Sequence, residues 1–359
     1  MKKFFVHELK SFLWAFVLLT VVCAVPYLAT VSTMPLYYTY WLEGIQMNGA
    51  PTNPNVSLVN WLAIALCFVA PPLVYSFKMS KRGVDAYYAL PLKKEKLYFV
   101  RGAVGALLVL VPYTLAFWLG FLALVLRAEN GFAMGWYVPT YFGFVLYLVL
   151  LFGLNAFAYT RANKLADGVV FMLAYAFLGT LAVEYIQQIT HQYFYWWTTE
   201  NFSSFGGAAA FTANMNEMIW GHQTRWSPFT FILPVVYGGA GYALLFALAN
   251  KEKGEAAEQV CLSWFGYKVL IPLYLALWIA LFGGTIDVFN LCLVAVCGIV
   301  AIVVWQRKFA FSWKYWLLLA GTIGVGILLG WVCQFTVPPD TNLPTEMFAG
   351  VFAGVSAGV

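Results

Sequence analysis

The sequence predicts an all-α, polytopic integral membrane helix bundle with about nine transmembrane helices and a cytoplasmic N-terminus. Hydrophobic residues make up 62% of the 359-residue chain and charged residues only 10%, which is far from the composition of a soluble protein. Nine apolar runs recur along the chain, and most are near the roughly 20 residues that a bilayer core requires. When these runs are threaded across a membrane, eighteen of the twenty Lys and Arg residues fall on one side.

The distribution of charge gives the predicted orientation. With the N-terminus inside, only Arg127 and Arg225 lie outside, whereas eight of the fifteen acidic residues do. The inner loops then carry a net charge of +11 and the outer loops −6. Cytoplasmic loops of membrane proteins are enriched in Lys and Arg. This bias accounts for the overall charge of +5, so no nucleic-acid partner is expected.

The first predicted element, residues 1–11, is an interfacial helix. Phe5 and Leu9 lie on one helical face, and Lys3 and Lys10 lie on another. An apolar face opposite a basic face is typical of a helix that rests in the headgroup layer. It leads directly into the first transmembrane span.

Two larger units follow. Residues 12–249 form a six-helix core, and residues 250–333 form a cytoplasmic linker with three further transmembrane helices. A short turn separates the seventh and eighth spans, so a re-entrant hairpin is an alternative for that pair. The nine predicted spans are 12–31, 58–77, 99–126, 140–159, 168–186, 229–249, 269–284, 288–305 and 315–333.

Residues 334–359 are predicted as an extracellular tail. Gly350, Gly354 and Gly358 share one helical face in an apolar stretch that is too short to cross a bilayer. We expect the chain to stop within a tenth helix or before a further domain.

Small residues predict contacts between helices. Gly326 and Gly330 are four positions apart in the ninth span. Several glycines between 238 and 241 reduce the side-chain bulk of the sixth span. Such residues allow close approach of backbones in a membrane. The contact in either case can lie within one subunit or between two.

The loop between the second and third spans, residues 78–98, is the most informative inner segment. Ser80 can cap a short helix in which Val84 and Tyr87 recur at helical spacing, and Pro91 ends it. A cytosolic protein that gripped this amphipathic helix would pull on two spans at once. The alternative is an ordinary positively charged loop whose lysines meet anionic lipid.

Two segments resemble parts of a known family. Ser-Lys-Arg at 80–82, followed by Asp85 and by Ala-Leu-Pro-Leu-Lys-Lys-Glu-Lys-Leu at 89–97, resembles the first cytosolic loop of bacterial ABC-2-type exporter permeases. Lys-Glu-Lys-Gly-Glu-Ala-Ala-Glu at 251–258 is similar to the basic tail of Ytr-type and bacitracin-export permeases of Gram-positive bacteria. With the N-terminal segment, the resemblance covers about the first 265 residues. The last three spans depart from the family pattern.

The resemblance implies a permease subunit of an ATP-binding-cassette exporter in the bacterial plasma membrane. In that family the permease dimerises, and a coupling helix after the second span binds a separate ATPase subunit. For this chain it implies a homodimer or a heterodimer with a related permease, a cytosolic ATPase partner that holds ATP and Mg²⁺, and export of a peptide, lipid or small molecule. The coupling-loop residues are Lys81, Arg82, Asp85, Tyr87, Tyr88, Leu90 and Pro91.

The chain itself is expected to be non-catalytic and to hold no cofactor or metal. Lys10 is the one Lys followed by Ser or Thr, and no glycine precedes it at phosphate-loop spacing. Two other function classes remain as alternatives. One is a membrane-embedded sensor or scaffold whose inner loop binds a signalling protein. The other is a lipid-modifying enzyme that uses His191 and His222 in an outer loop, although their spacing matches no ligand pattern.

Three polar residues in or near the spans are candidates for a substrate path: Asn155, Glu184 and Asp287. Burying such groups in lipid costs several kcal/mol. An Asn within a span, such as Asn155, more often forms a hydrogen bond between helices than binds a substrate. Glu184 and Asp287 can each reach the outer interface.

Overall fold

The structure, a computed structural model, describes most of the chain. The described residues are 2–33, 37–42, 45–51, 56–127, 137–190, 229–251, 255, 257–261, 263–282, 288–307 and 312–336. Most of the long outer loop and of the predicted tail lies outside them.

The described residues form eleven α-helices, one 3₁₀ segment and one two-stranded sheet. The helical bundle that the sequence predicts is confirmed. In chain order the elements are α1 (Lys2–Ser11), α2 (Leu13–Thr33), β1 (Tyr37–Leu42), β2 (Ile45–Pro51), α3 (Ser57–Tyr75), the 3₁₀ segment (Ser76–Met79), α4 (Lys81–Tyr88), α5 (Lys94–Arg127), α6 (Tyr137–Thr160), α7 (Leu165–Thr190), α8 (Phe229–Ala249), α9 (Tyr267–Phe282), α10 (Val288–Gln306) and α11 (Trp313–Thr336).

Five of the described helices are long and apolar enough to cross a membrane, namely α2, α3 with its 3₁₀ extension, α5, α6 and α11. The molecule is therefore a membrane protein. Shorter apolar segments lie within the other four helices that coincide with predicted spans: Leu165–Gly179, Pro234–Ala249, Tyr267–Leu281 and Leu291–Gln306. The total of nine spans stays a prediction.

Helix α2 shows how one apolar helix divides its surface. Ala15, Leu19, Cys23, Tyr27 and Val31 recur every four residues and are buried. This period places them on one helical face, which packs against α5. The opposite face exposes large apolar side chains, as expected of a surface in contact with lipid: Trp14, Val17, Leu18, Val21, Val22 and Val25.

The first long connection holds a hairpin that the all-α prediction did not include. β1 and β2 pair antiparallel, with Leu42 opposite Ile45 and an irregularity between Tyr37 and Thr39. Aromatic and β-branched residues favour strands, and β1 reads Tyr-Tyr-Thr-Tyr-Trp-Leu. The run was missed because it is far too short to register as an apolar span.

The helices pack in two neighbouring groups. In the first, α5 packs against α2, α3 and α6, and α6 packs against α8. In the second, α9 packs against α7, α10 and α11, and α11 also contacts α7. Helix α7 contacts α6 as well, so the fifth predicted span joins the predicted core to the last three helices.

Glycines mark the closest helix contacts, as the sequence predicts. A Cβ on Gly238 of α8 would lie 2.8 Å from the backbone Cα of Leu150 on α6. A Cβ on Gly326 of α11 would lie 2.8 Å from the Cβ of Ile279 on α9. Both contacts lie within one chain, which is one of the two predicted alternatives for Gly238 and Gly326.

Residues of the predicted inner loops gather at one end of the bundle, which we call the basic end. It comprises α1, the 3₁₀ segment, α4, the start of α5, the α6–α7 connection, residues 257–261 and 263–266, and the end of α10, which contact one another. Arg127, predicted to lie outside, is at the opposite end, where its Nη1 donates to the carbonyl of Val31 at 2.7 Å. Among the described residues, the long α5 thus separates Arg127 from the charges of the basic end.

Candidate functional site

Helix α4, the predicted coupling helix, begins at the basic end directly after the 3₁₀ segment. The Oγ of Ser80 accepts a 3.1 Å hydrogen bond from the backbone N–H of Gly83, which confirms the predicted cap. Glycine is required at position 83, because a Cβ there would lie 2.4 Å from the carbonyl oxygen of Phe77. The start of α4 therefore lies directly against the 3₁₀ segment.

One face of α4 is open and the other is packed. Lys81, Arg82 and Asp85 are exposed. Val84 is buried, and the half-buried ring of Tyr87 lies with its centroid 4.7 Å from that of Phe77. Helix α4 therefore presents a charged surface outward while its apolar side chains rest on the bundle.

The other predicted coupling residues lie where α4 ends. Tyr88 and Leu90 are half-buried and Pro91 is exposed. The Nζ of Lys94 lies 4.6 Å from the centroid of the Tyr88 ring, a cation–π contact that ties the start of α5 to the end of α4. All seven predicted residues thus lie in one short segment, divided between an open and a packed side.

The packed face of α4 rests on Arg101 of α5, whose predicted role was only that of an inner charge. Its guanidinium carbon lies 4.1 Å from the ring centroid of Tyr87 and 4.8 Å from that of Phe77. Nη1 donates a 2.7 Å hydrogen bond to the carbonyl of Val74 near the end of α3. A planar guanidinium can stack on rings and donate in its plane at the same time. One side chain therefore holds α3, the 3₁₀ segment and α4 against α5.

Arg101 also forms a buried ion pair with Glu8 of α1. Its Nη2 lies 3.0 Å from Oε2 and donates to Oε1 at 3.2 Å. The two side chains are only 4% and 2% exposed. A buried charge is costly unless it is paired, so the pair fixes α1 to α5. We call Glu8, Val74, Phe77, Tyr87 and Arg101 the Arg101 cluster.

The electrostatics of this cluster keep Tyr87 neutral. Burial raises the pKa of its phenol, the charge of Arg101 opposes this rise, and the charge of Glu8 adds to it. An ordinary tyrosine already has a pKa near 10. The contact between Tyr87 and Arg101 is therefore that of a cation with a neutral ring.

A second junction, the Asp167 cluster, consists of Asp167, Tyr267 and Arg307 and joins α7 to α9 and α10. The Nη2 of Arg307 lies 3.2 Å from the Oδ2 of Asp167, and the hydroxyl of Tyr267 donates to Oδ1 at 3.0 Å. Burial raises the pKa of Asp167, and the hydrogen bond from Tyr267 opposes that rise. The side chain of Arg307 is 38% exposed, so this ion pair is partly hydrated.

Glu258, in the segment between α8 and α9, connects α4 to the second group of helices. Its Oε1 accepts a 3.3 Å hydrogen bond from the backbone N–H of Lys81, in the first turn of α4. Its own N–H donates to the carbonyl of Asn163 in the α6–α7 connection at 3.1 Å. Glu258 has a φ of 65°, a left-handed conformation that costs a non-glycine residue about 1 kcal/mol. The segment is held in this shape by contacts on both sides.

The three candidate pathway residues have different outcomes. Asn155 is fully buried, and its Nδ2 donates to the carbonyl of Cys67 on α3 at 3.1 Å. This is the hydrogen bond between helices that the sequence left open as an alternative. Glu184 lies in the C-terminal half of α7, and its side chain is outside the described residues, as is Asp287. A role of these three residues in a substrate path stays a prediction.

Two of the residues that matter most at this site carried weak signals in the sequence. Glu8 is the one acidic residue of an otherwise basic α1, and Arg101 lies within a largely apolar helix. A charge in an unfavourable local setting indicates a partner elsewhere. The sequence does not say which partner, because many cations and carboxylates share the predicted inner side.

Metal ligation was not expected. Among the described residues, no group of three or more His, Cys, Asp or Glu side chains has the arrangement of a metal site. His191 and His222, on which the lipid-enzyme alternative depends, lie outside the described residues.

Comparisons of this chain with protein-family models, with curated proteins and with solved structures found no match. The resemblance to exporter permeases therefore stays a prediction from the residues that carry it.

Proposed function

We propose that this protein is the transmembrane permease subunit of an ATP-binding-cassette exporter, with α4 as the coupling helix that docks on a separate ATPase. One observation carries the proposal: α4 is charged on its open face and packed on its other face against the helix that follows it. A docking element needs both properties, because it has to be reached from the cytosol and to pass a displacement to the membrane. The predicted N-terminus-inside orientation and the nine predicted spans belong to this proposal.

The Arg101 cluster supplies a physical route for that displacement. Pressure on α4 reaches Arg101 through the ring of Tyr87. Arg101 is part of α5, bonds the last turn of α3 and pairs with α1. A displacement of α4 would therefore be passed to the second and third predicted spans together, and to α1 through Glu8.

The expected surroundings follow from the same proposal. ATP and Mg²⁺ are held by the partner, and the chain works as a homodimer or with a related permease in the bacterial plasma membrane. The exported molecule is a peptide, lipid or small molecule.

The direct test is purification of the full chain from its own membranes in mild detergent, followed by an assay of Mg-ATP hydrolysis and sequencing of bound chains. The wild type is expected to retain a chain with a phosphate-binding loop. Arg82→Glu combined with Asp85→Lys preserves the net charge of α4 but inverts its pattern, and should lose that chain. Partner binding sensitive to these exposed residues is a direct readout of docking.

A matched control is available on the same predicted side of the membrane. Lys314 is exposed near the start of α11, so Lys314→Glu reverses one surface charge without touching α4 and should retain the partner. Loss of the ATPase chain in this control as well, or no ATPase chain with the wild type, would refute the proposal. A bound chain that lacks a nucleotide site would favour the sensor or scaffold function instead.

A further inference from the structure

A groove of about 410 Å³ opens between α5 and α8 at the basic end. It is lined by Glu95, Lys96 and Phe99 from α5, and by Phe246 and Ala247 from α8. Glu95, Lys96 and Phe99 are exposed. None of its lining residues is among the seven predicted coupling residues, although Glu95 and Lys96 belong to the predicted loop 78–98.

The groove has a polar mouth and an aromatic interior. Across its mouth, the side-chain amide of Asn250 donates a hydrogen bond to Oε1 of Glu95. Phe99 lies four residues after Glu95, and Phe246 lies four residues before Asn250, so each ring is about one helical turn deeper. The two ring centroids are 6.0 Å apart. This order of polar and apolar groups follows that of a phospholipid.

The depth of the groove fits the same ligand. Its polar residues lie where α5 begins and α8 ends, which places them at the headgroup layer if these helices cross the bilayer. Phe99 is 56% exposed, so its ring is available to an acyl chain beside the bundle. Small-molecule sites combine an apolar wall with a few polar groups that fix orientation.

The two charges at the mouth select a type of headgroup. The ammonium of Lys96 can bind a lipid phosphate. A carboxylate accepts several hydrogen bonds, so Glu95 can accept from a second donor besides Asn250. A choline headgroup has a cation without N–H donors, and a glycerol headgroup has no cation. We propose that this groove binds one phospholipid whose headgroup carries a primary ammonium, as in phosphatidylethanolamine.

The test uses the purified full chain and measures lipid binding by native mass spectrometry. The probes are phosphatidylethanolamine, phosphatidylcholine and phosphatidylglycerol with identical acyl chains. Phosphatidylethanolamine should bind about fivefold more tightly than phosphatidylcholine, the order of one charge-assisted hydrogen bond at a hydrated site. Glu95→Gln should abolish the preference for phosphatidylethanolamine, whereas Lys96→Gln should weaken the binding of all three lipids.

Two aromatic variants complete the experiment. Phe99→Ala should weaken the binding of all three lipids, and Phe142→Ala should not, because Phe142 is equally accessible (63% exposed) but lies on α6 outside the groove. Equal affinities for the three lipids, or a preference that survives Glu95→Gln, would overturn the proposal. A shift in oligomeric state with Phe99→Ala and unchanged lipid binding would also overturn it, because the groove would then be a contact between subunits.

Discussion

The two charged junctions at the basic end hold helices together in different ways. In the Arg101 cluster both members of the ion pair are almost fully buried, and the guanidinium lies against the rings of Tyr87 and Phe77. In the Asp167 cluster the cation is 38% exposed, and a neutral hydroxyl from Tyr267 shares the carboxylate. Burial excludes solvent from the first junction, whereas solvent can reach the cation of the second.

This difference in burial indicates at which junction the loss of a charge should reduce stability most. A buried pair contributes little net stability compared with apolar residues of the same volume, yet loss of one partner strands the other charge. A partly exposed pair is screened, and water replaces the missing contact. Removal of one charge should therefore destabilise the protein strongly at the Arg101 cluster and only weakly at the Asp167 cluster. Variants at Arg101 and at Arg307 test that contrast directly.

The largest effect is expected at Arg101. Arg101→Met leaves the carboxylate of Glu8 buried without its cation, and the free energy of unfolding should fall by about 3–5 kcal/mol. Equilibrium unfolding in mild detergent measures this change. Arg82→Met, at an exposed position of α4, should change stability by less than about 0.5 kcal/mol.

A double variant separates charge from packing at this junction. If stranded charge is the cause, Glu8→Leu combined with Arg101→Met should recover most of the stability lost in Arg101→Met alone. A double variant no more stable than the single one would mean that the stacking of Arg101 on Tyr87 and Phe77 dominates.

The next effect compares close helix contacts in the two groups. Gly238→Leu should cost about 1–3 kcal/mol or more, because the new side chain meets the backbone of Leu150. Gly326→Leu should cost a similar amount, since its new Cβ would lie 2.8 Å from the Cβ of Ile279, an atom that the α9 backbone fixes in place. Gly239 has open space around it, so Gly239→Leu is the control. Thermal unfolding of the three variants in detergent would rank them, and an equal loss at Gly239 would contradict the packing explanation.

A smaller effect is expected at Arg307. Arg307→Met removes a partly exposed charge and should lower the free energy of unfolding by about 1 kcal/mol at neutral pH. The residual hydrogen bond from Tyr267 keeps Asp167 from being stranded. A loss as large as that in Arg101→Met would erase the contrast between the two junctions.

The pH dependence of the Arg307→Met variant gives a second readout. Burial raises the pKa of Asp167 above its ordinary value of 3.8, and loss of an opposite charge should raise it further. The folded state then holds a proton more tightly than the unfolded chain. This contribution to stability is present at low pH and is lost as pH rises from about 4 through the folded-state pKa. Unfolding of the variant across that interval should show the decline, and adding Asp167→Asn should remove it.

The smallest effect concerns Glu258, which ties α4 to the second group. Both Glu258→Ala and Glu258→Gly remove the hydrogen bond to the N–H of Lys81. Only glycine relieves the backbone cost of a φ of 65°. Glu258→Gly should therefore be more stable than Glu258→Ala by about 1 kcal/mol. Equal stability of the two variants in denaturant titrations would show that the backbone changes conformation when the carboxylate is lost.

Several elements of the fold were predictable because their causes are local. The predicted span 229–249 coincides with α8, and the cap of α4 at Ser80 was anticipated from residue type alone. The predicted third span began at residue 99, whereas α5 begins at Lys94. Hydropathy detects the apolar part of a helix and not its polar extension into the headgroup layer. The β1–β2 hairpin was not predicted because it lies in a connection between spans, where hydropathy gives no signal.

The candidate site was predictable only on its open face. Lys81, Arg82 and Asp85 were chosen because charge and helical spacing are written in the sequence, and all three are exposed. The packed face depends on Arg101 and on Glu8, which are 93 positions apart. No periodicity connects residues at that separation.

The sequence by itself determined that the chain forms apolar helices for a bilayer, that positive charge gathers at one end, and that a short capped helix follows α3. These properties are sums over neighbouring residues and need no knowledge of packing. Tertiary structure alone decided which partner each carboxylate meets: Glu8 meets Arg101, Asp167 meets Arg307 across 140 positions, and Glu258 meets the backbone N–H of Lys81 across 177. Pairing is a property of how helices lie beside one another, and each buried charge accepts only the partner that packing brings within a few ångströms.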